Sequence, residues 1–262
     1  MKIEFFKYHG TGNDFIILDN RDGQYNQLGQ QAIRAMCERR FGIGADGLML
    51  LGQAEGYDFS MSYYNADGAE GTMCGNGGRC MVRFAYDQGI HRSSYRFLAA
   101  DGPHEADIDL TGIIRLRMTD VHKVESGIDF FVLNTGSPHY VKFQPEVRDH
   151  DVTAEGKEIR NSRKYAQAGI NVNFVENLDD HTIFVRTFER GVEAETWSCG
   201  TGVTASALMA AHNEVGFNQV DVQTLGGKLS VEFDKVDEQT FRDIWLIGQA
   251  QFVYRGEYKT GA

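Results

Sequence analysis

The sequence predicts an α+β protein of two pseudo-symmetric α/β halves. Each half is a mostly antiparallel or mixed sheet wrapped around a central helix, with the functional site in the cleft between them. Three observations lead there. First, a Gly-rich cysteine box occurs twice, as Glu70-Gly-Thr-Met-Cys74-Gly-Asn-Gly77 and as Glu195-Thr-Trp-Ser-Cys199-Gly-Thr-Gly202, each with a Glu four residues before the Cys. Second, the surroundings repeat in register: Thr11-Gly12-Asn13 lies 63 residues before Cys74 and Thr135-Gly136-Ser137 lies 64 before Cys199, while Asn65 and Arg190 each stand nine residues before their cysteine. Self-similarity of this kind marks a duplicated unit. Third, strand-like runs follow one another instead of alternating with helices, which argues against a doubly wound parallel sheet.

The elements follow in order. FFKYH and FIILD flank the first Thr-Gly turn, and FFVLN and YVKF flank the second. Alternating or β-branched runs predict strands over Leu48–Leu51, Phe59–Tyr64, Ile113–Met118, Asn171–Glu176, Thr182–Thr187, Leu229–Phe233, Ile244–Gly248 and Gln251–Tyr254. Helices are expected over Gly29–Arg40, over Gly78–Gln88 and Val203–Val215 after the two cysteines, and over Thr153–Ala166. The two that follow the cysteines run up to Gly89 and Gly216, residues suited to a helix C-cap. No linker separates the halves. The expected division is 1–120 with about 251–262 in one half, and about 121–250 in the other.

Composition limits the functional classes. With 42% hydrophobic and 24% charged residues, the chain has the balance of a globular protein able to bury a core. No run approaches the ~18 apolar residues that a membrane helix needs. The opening MKIEFFKYHG is broken by Lys2, Glu4 and Lys7, so no signal-peptide region is read and the cytoplasm is the expected location. A net charge of −11 argues against a nucleic-acid or membrane surface, though not against an anionic small molecule held locally.

The four cysteines, Cys37, Cys74, Cys80 and Cys199, fit neither a disulfide framework nor a metal spacing. Cys37 and Cys80 are expected to be packing residues. Cys74 and Cys199 each stand where a Gly-rich loop meets a helix start. Unpaired backbone N–H groups and the positive end of the helix dipole favour a thiolate there, and would also hold a carboxylate. If the halves pack about a pseudo-twofold axis, the two thiols flank one ligand carbon. Matched acids on opposite faces of a stereocentre suit inversion by proton transfer, because the two roles exchange when the reaction reverses. The glycine loops lack the Lys-Ser/Thr end of a P-loop, and no lysine stands in an aldimine-like context. No cofactor and no metal are expected. Alternatives from the residues are a redox pair of thiols or a non-catalytic binding protein.

HGTGNDFIILD, YYNADGAEGTMCGNGGRC, TGSPH, INVNF and FERG…ETWSCGTG together resemble the diaminopimelate epimerase family, in its order over nearly the whole chain. The resemblance implies interconversion of LL- and meso-diaminopimelate without pyridoxal phosphate, on the route to lysine and peptidoglycan. It implies Cys74 and Cys199 as the acid/base pair, and places the α-carboxylate on the amides of Gly75-Asn76 and Gly200-Thr201. Asn13, Asn65, Asn171, Glu189 and Arg190 match the family's substrate-binding positions, and His139 and Glu189 match positions that tune the thiols. A homodimer is implied as well. Three departures bear on the distal head group of the substrate. Ser137 replaces the family's frequent Asn before Pro-His, Gly47 stands where a Gln is frequent, and ERGVEAETWSC is one residue longer than usual. A related racemase, of histidine or hydroxyproline type, is the alternative.

Overall fold

A two-residue turn opens the fold. β1 (Lys2–Gly10) and β2 (Asn13–Asp19) form a hairpin around Thr11 and Gly12, whose φ values are 50° and 82°. Positive φ at both central residues is the type I′ pattern, whose twist matches that of the flanking strands. The computed structural model describes residues 2–260. In chain order the next elements are α1 (Gln30–Cys37), β3 (Gly47–Gly52), β4 (Phe59–Asn65), β5 (Glu70–Gly71), α2 (Gly75–Asp87), β6 (Ser94–Ala99), β7 (Gly102–Ile108) and β8 (Ile113–Arg117). There follow β9 (Val124–Ser126), β10 (Phe130–Asn134), β11 (Pro138–Phe143), a 3-10 turn at Val147–Asp149, α3 (Val152–Arg160), β12 (Asn171–Asn177), β13 (Thr182–Glu189) and β14 (Ala194–Thr196). The chain ends with α4 (Gly200–Met209), β15 (Gly216–Thr224), β16 (Gly227–Lys235), β17 (Phe241–Gln249) and β18 (Gln251–Lys259).

The described residues divide into two compact units: those up to Leu116 together with those from Gln249 onward, and Arg117–Gly248. In the first unit the strands are ordered β18-β1-β2-β3-β4-β6-β7-β8; in the second they are ordered β9-β10-β11-β12-β13-β15-β16-β17. Both orders run through the same senses: antiparallel, antiparallel, parallel, antiparallel, parallel, antiparallel, antiparallel. The short strands β5 and β14 each pair with the fifth member of their order. Two halves with mixed sheets and central helices are thus present, as the duplicated motifs predict.

Each central helix is enclosed by its own sheet. In α4 the residues Gly200 and Gly202–Leu208 are buried, and in α2 Gly75–Val82 are buried, so neither helix keeps a solvent face over its first turns. A helix buried all round must be lined with small or apolar side chains. The glycines of both boxes supply the small ones. The sheets are covered on their other face too: Ile16, Leu18, Leu48 and Leu50 pack against Ile33, Met36 and Cys37 of α1, and Val172, Phe174 and Phe188 pack against Val152 of α3. Because side chains alternate along a strand, Asn171 and Asn173 of β12 face away from that α3 layer.

Several boundaries differ from the sequence reading. α2 and α4 begin at Gly75 and Gly200, three residues earlier than expected, because the glycines of each box are helical. α4 stops at Met209 instead of running to Val215. Asn218 accepts from the Asn213 backbone and Asn213 donates to Phe217, turning the chain there, and Gly216 opens β15 instead of capping the helix. α3 ends at Arg160, before Ala166, at a stretch led by Asn161 and Ser162, which are poor helix formers. β5, β6, β7, β9, β14 and β15 have no counterpart among the predicted strands.

Candidate active site

Cys74 and Cys199 occupy the same structural position in their units. Each is the N-cap of its buried helix, with φ/ψ of −107°/133° and −109°/111°. Neither helix has a side-chain cap or an acidic residue in its first turn. Each cysteine carbonyl accepts the first helical bond, from Gly78 at 2.7 Å and from Val203 at 2.8 Å. The earlier amides, which include Gly75-Asn76 and Gly200-Thr201, have no place in that ladder. An uncompensated helix N-terminus attracts an anion, either the thiolate at the cap or a carboxylate beyond it.

In the first unit a chain of amides leads to Cys74. The thiol donates to Asn13 Oδ1 at 3.7 Å, and Asn76 Nδ2 donates to the same oxygen at 3.4 Å. Asn13 Nδ2 in turn donates to Asp46 Oδ2 at 2.7 Å, which fixes the amide orientation because a carboxylate only accepts. Asp46 is tied to Arg39 at 2.6 Å, and Arg39 also reaches Asp14, which is paired with buried Lys7 at 2.7 Å. Burial alone would raise the Asp14 carboxyl, but hydrogen bonds from Arg39 and Lys7 outweigh it and hold the pKa at about 2. Asn65 ends β4, exposed, opposite Gly47 in the ladder.

The second unit surrounds its cysteine differently. Cys199 Sγ lies 3.5 Å from Thr201 Oγ1, and Thr201 Oγ1 lies 2.9 Å from Nε2 of His139. The far ring nitrogen, Nδ1, receives Asn173 Nδ2 at 3.1 Å. Asn173 Nδ2 also donates to the Tyr140 carbonyl at 3.0 Å, while its Oδ1 accepts from Thr187 at 2.9 Å, so its orientation is settled by partners that allow no flip. His139 therefore carries its proton on Nε2 and donates to Thr201, whose hydroxyl donates onward to the sulfur. Burial, helped by the charge of Arg190, pushes the His139 pKa down to about 3, so the ring is neutral. The packing permits no side chain at Gly202: a Cβ there would stand 2.3 Å from Asn173 Oδ1.

A second cluster lies beside it. Asn171 Nδ2 donates to Ser137 Oγ at 2.9 Å and to the Pro138 carbonyl at 3.0 Å, and its Oδ1 accepts the Arg190 backbone N–H at 2.9 Å. The Arg190 guanidinium is held by the Ala168 carbonyl and by Ser137, each at 3.2 Å, and remains exposed. Glu189, the last residue of β13, accepts from Thr196 at 3.0 Å. The turn after β13 has positive φ at Gly191 and Glu193. Glu195, one of the two glutamates that precede the cysteines, makes a two-point pair with Arg186 at 2.6 and 2.7 Å, a structural tie.

The structure thus joins Asn13, Cys74 and Asn76 in one unit, and His139, Thr201 and Cys199, with Asn171 next to Arg190, in the other. The sequence reading missed Asn173, Asp46 and Arg79. Asn173 lies two residues from Asn171 in INVNF, so strand periodicity puts both on one face and could have flagged it. Cys37 and Cys80 are buried, and burial pushes both thiols up, Cys37 to about 12. They sit in the core.

The family model for diaminopimelate epimerase matches residues 5–124 and 131–253. The diaminopimelate epimerase of Flavobacterium psychrophilum is 46% identical over 253 residues, covering 96% of this chain and 98% of that protein. That of Chlorobaculum tepidum is 44% identical over 256 residues, covering 94% and 98%. Among solved structures, a Bacillus anthracis phenazine biosynthesis protein of the PhzF family superimposes with a TM-score of 0.75 at 16% identity, over 99% of this chain and 100% of that one. A hydroxyproline epimerase from Agrobacterium vitis gives 0.69 at 12% identity, over 98% and 92%. At such identities these two establish the shared fold alone. With the family model spanning both duplicated units and near-full-length relatives well above 30% identity, the chain belongs to the diaminopimelate epimerase family.

Proposed function

We propose that Cys74 and Cys199 are the acid/base pair with which this epimerase interconverts LL- and meso-diaminopimelate. The observation that carries the reading is the matched placement of the two thiols as N-caps of two buried helices. One cysteine, as thiolate, removes the α-proton and becomes a thiol. The electron pair left behind delocalises into the α-carboxylate, whose oxygens are held by the amides of Gly75-Asn76 and Gly200-Thr201. The other cysteine, as thiol, delivers its proton to the opposite face and becomes the thiolate. Protons and charge balance between the two sulfurs, so the step needs no pyridoxal phosphate and no metal.

Asn13, Asn65, Asn171, Glu189 and Arg190 complete the substrate set in this reading, with Arg190 offering a forked donor to the distal carboxylate. The neutral His139 acts on Cys199 through Thr201. The epimerase is proposed to work as a homodimer in the cytoplasm. Phe252, Val253 and Tyr254, exposed together on β18, support the first, and four free thiols suit a reducing compartment.

The test is turnover in heavy water. Starting from either isomer, early product should carry deuterium while remaining substrate stays largely unlabelled. Cys74→Ala and Cys199→Ala should each lose epimerisation by at least about 10²-fold. Equal early labelling of substrate and product, or near-normal inversion by either variant, would overturn the two-thiol mechanism.

A further inference from the structure

Arg160, the last residue of α3, reaches two segments that meet at Arg190. Its Nη1 donates to the Ala166 carbonyl at 3.3 Å and, at the limit of a hydrogen bond, to that of Tyr165 at 3.5 Å, in the loop before β12. Its Nε lies 3.4 Å from Glu193 Oε1, in the turn after β13. Both segments hold Arg190. The loop supplies the Ala168 carbonyl that accepts from Arg190 Nη1 at 3.2 Å. The turn ties the backbone on either side of Arg190: Glu193 N–H donates to the Glu189 carbonyl at 2.8 Å, and the same Glu193 Oε1 accepts from the Gly191 N–H at 3.1 Å. Gly169 stands between the two arginines with a φ of 75°. A Cβ there would meet Arg190 Cδ at 2.5 Å and Arg160 Cζ at 3.2 Å, so both side chains pack on one glycine.

We propose that Arg160 is a positioning residue for recognition of the distal carboxylate: it fixes the loop 165–169 and the turn 191–193 against each other, and so aims the Arg190 fork. This rests on the role given above to Arg190. Three features carry it. The backbone bonds of the loop are local, from Tyr165 and Ala166 to the Ser162 carbonyl and from Gly169 to that of Tyr165, so they shape the loop without joining it to the sheet. Arg160 makes that join, from the end of a helix to the turn beside Arg190. The Arg160 side chain is 16% exposed and Glu193 46%, so their pair adds little stability and its effect is one of placement. Finally, Glu193 offsets the charge of Arg160, while the hydrogen bonds of the Arg190 guanidinium go to neutral oxygens, of Ala168 and Ser137. The charge left to meet an anion is that of Arg190. Ordering a long side chain at the moment of binding costs affinity, and a wall fixed beforehand removes part of that cost.

The test is a double-mutant cycle on the whole protein, read as kcat and KM for LL-diaminopimelate. Arg160→Met keeps an unbranched stem and removes the guanidinium. It should lower kcat/KM about 3- to 10-fold, chiefly by raising KM, with kcat held within about twofold because the reacting carbon is untouched. In an Arg190→Ala background the same change should cost less than about twofold, since the fork it aims is gone. A merely structural role would give the same loss in both backgrounds. Arg160→Lys keeps the charge but not the planar group that joins the two segments, so it should show a smaller loss with the same rise in KM. It decides the matter if circular dichroism shows that Arg160→Met does not fold. An unaltered KM in the folded variant, or a loss undiminished beside Arg190→Ala, overturns the proposal. A normal kcat/KM in Arg190→Ala alone would instead overturn the distal-carboxylate reading, and the proposal with it.

Discussion

Thr201 Oγ1 and His139 Nε2 lie 2.9 Å apart, and the direction of the proton between them is set by Asn173 on the other side of the ring. Because Asn173 donates to Nδ1, the imidazole donates to the hydroxyl, and the hydroxyl is left to donate to Cys199 Sγ at 3.5 Å. A hydrogen bond to sulfur in this sense favours the thiolate.

Thr201→Val keeps the shape of the side chain and removes this donor. A hydrogen bond to a charged group contributes about 1.5–3 kcal/mol, so kcat should fall about 10- to 100-fold. Thr201→Ser should retain most of the rate. Steady-state kinetics with LL-diaminopimelate checks both, and an unimpaired Thr201→Val would show that the relay is idle.

The buried imidazole also makes stability depend on pH. His139 titrates at about 3 when folded and near its ordinary 6.5 when unfolded, so below pH 6.5 the unfolded chain holds the extra proton. Its contribution is complete above 6.5 and is lost as pH falls toward 3. Between pH 6.5 and 4.5 the loss amounts to about 2 kcal/mol. Asp14 behaves in the same direction over a lower window, from 3.8 down to about 2, and so leaves this range untouched. Urea unfolding at a series of pH values should show the slope, and His139→Gln should flatten it.

How much of this could be read beforehand follows from what each residue depends on. The two thiols are legible because a local pattern, Cys-Gly-x-Gly at a helix start, occurs twice with its surroundings in register. Gly75–Gly77 reads as loop by composition, yet it is helical because Gly77 packs against Met49, Met61 and Phe15, a tertiary reason invisible in the local sequence. Arg79 carries no signal of its own in the sequence; only the fold shows three acceptors, from Thr11, Gly75 and Asn76, enclosing it. β6 and β7 have an alternating burial pattern, but Arg96, Glu105 and Asp107 interrupt the apolar run and Pro103 stands in the second strand, which hides it.

Arg190 gives a sharper contrast. Its guanidinium is aligned by the Ala168 carbonyl and Ser137, and its backbone by Asn171. Arg190→Lys preserves charge but not the planar fork, so it should not rescue. Both Arg190→Ala and Arg190→Lys should lower kcat/KM about 10-fold or more, as expected for loss of a charged hydrogen bond to the substrate. Ser137→Ala removes only an aligning acceptor and should cost less. A fully active Arg190→Lys would remove the argument for two-point carboxylate recognition.

Gly47 is fixed by its neighbours, which bears on why a larger residue is missing there. It pairs with Asn65 in the β3–β4 ladder, and a Cβ at this position would stand 2.5 Å from the Tyr63 ring and 2.6 Å from the Tyr64 carbonyl. Tyr63 is itself held edge-on by Phe15, with ring centroids 6.0 Å apart. Gly47→Ala already introduces the clash, and Gly47→Gln extends it, so each should destabilise by about 1–3 kcal/mol as overpacking does. Tyr63→Ala in the Gly47→Gln background should restore only part of the loss, because the ring can be removed but the Tyr64 carbonyl belongs to the ladder. Thermal unfolding of the three variants decides the matter. A Gly47→Gln protein that melts with the unaltered chain would show that the Tyr63 ring and the β4 backbone yield, and that the glycine is not required by packing.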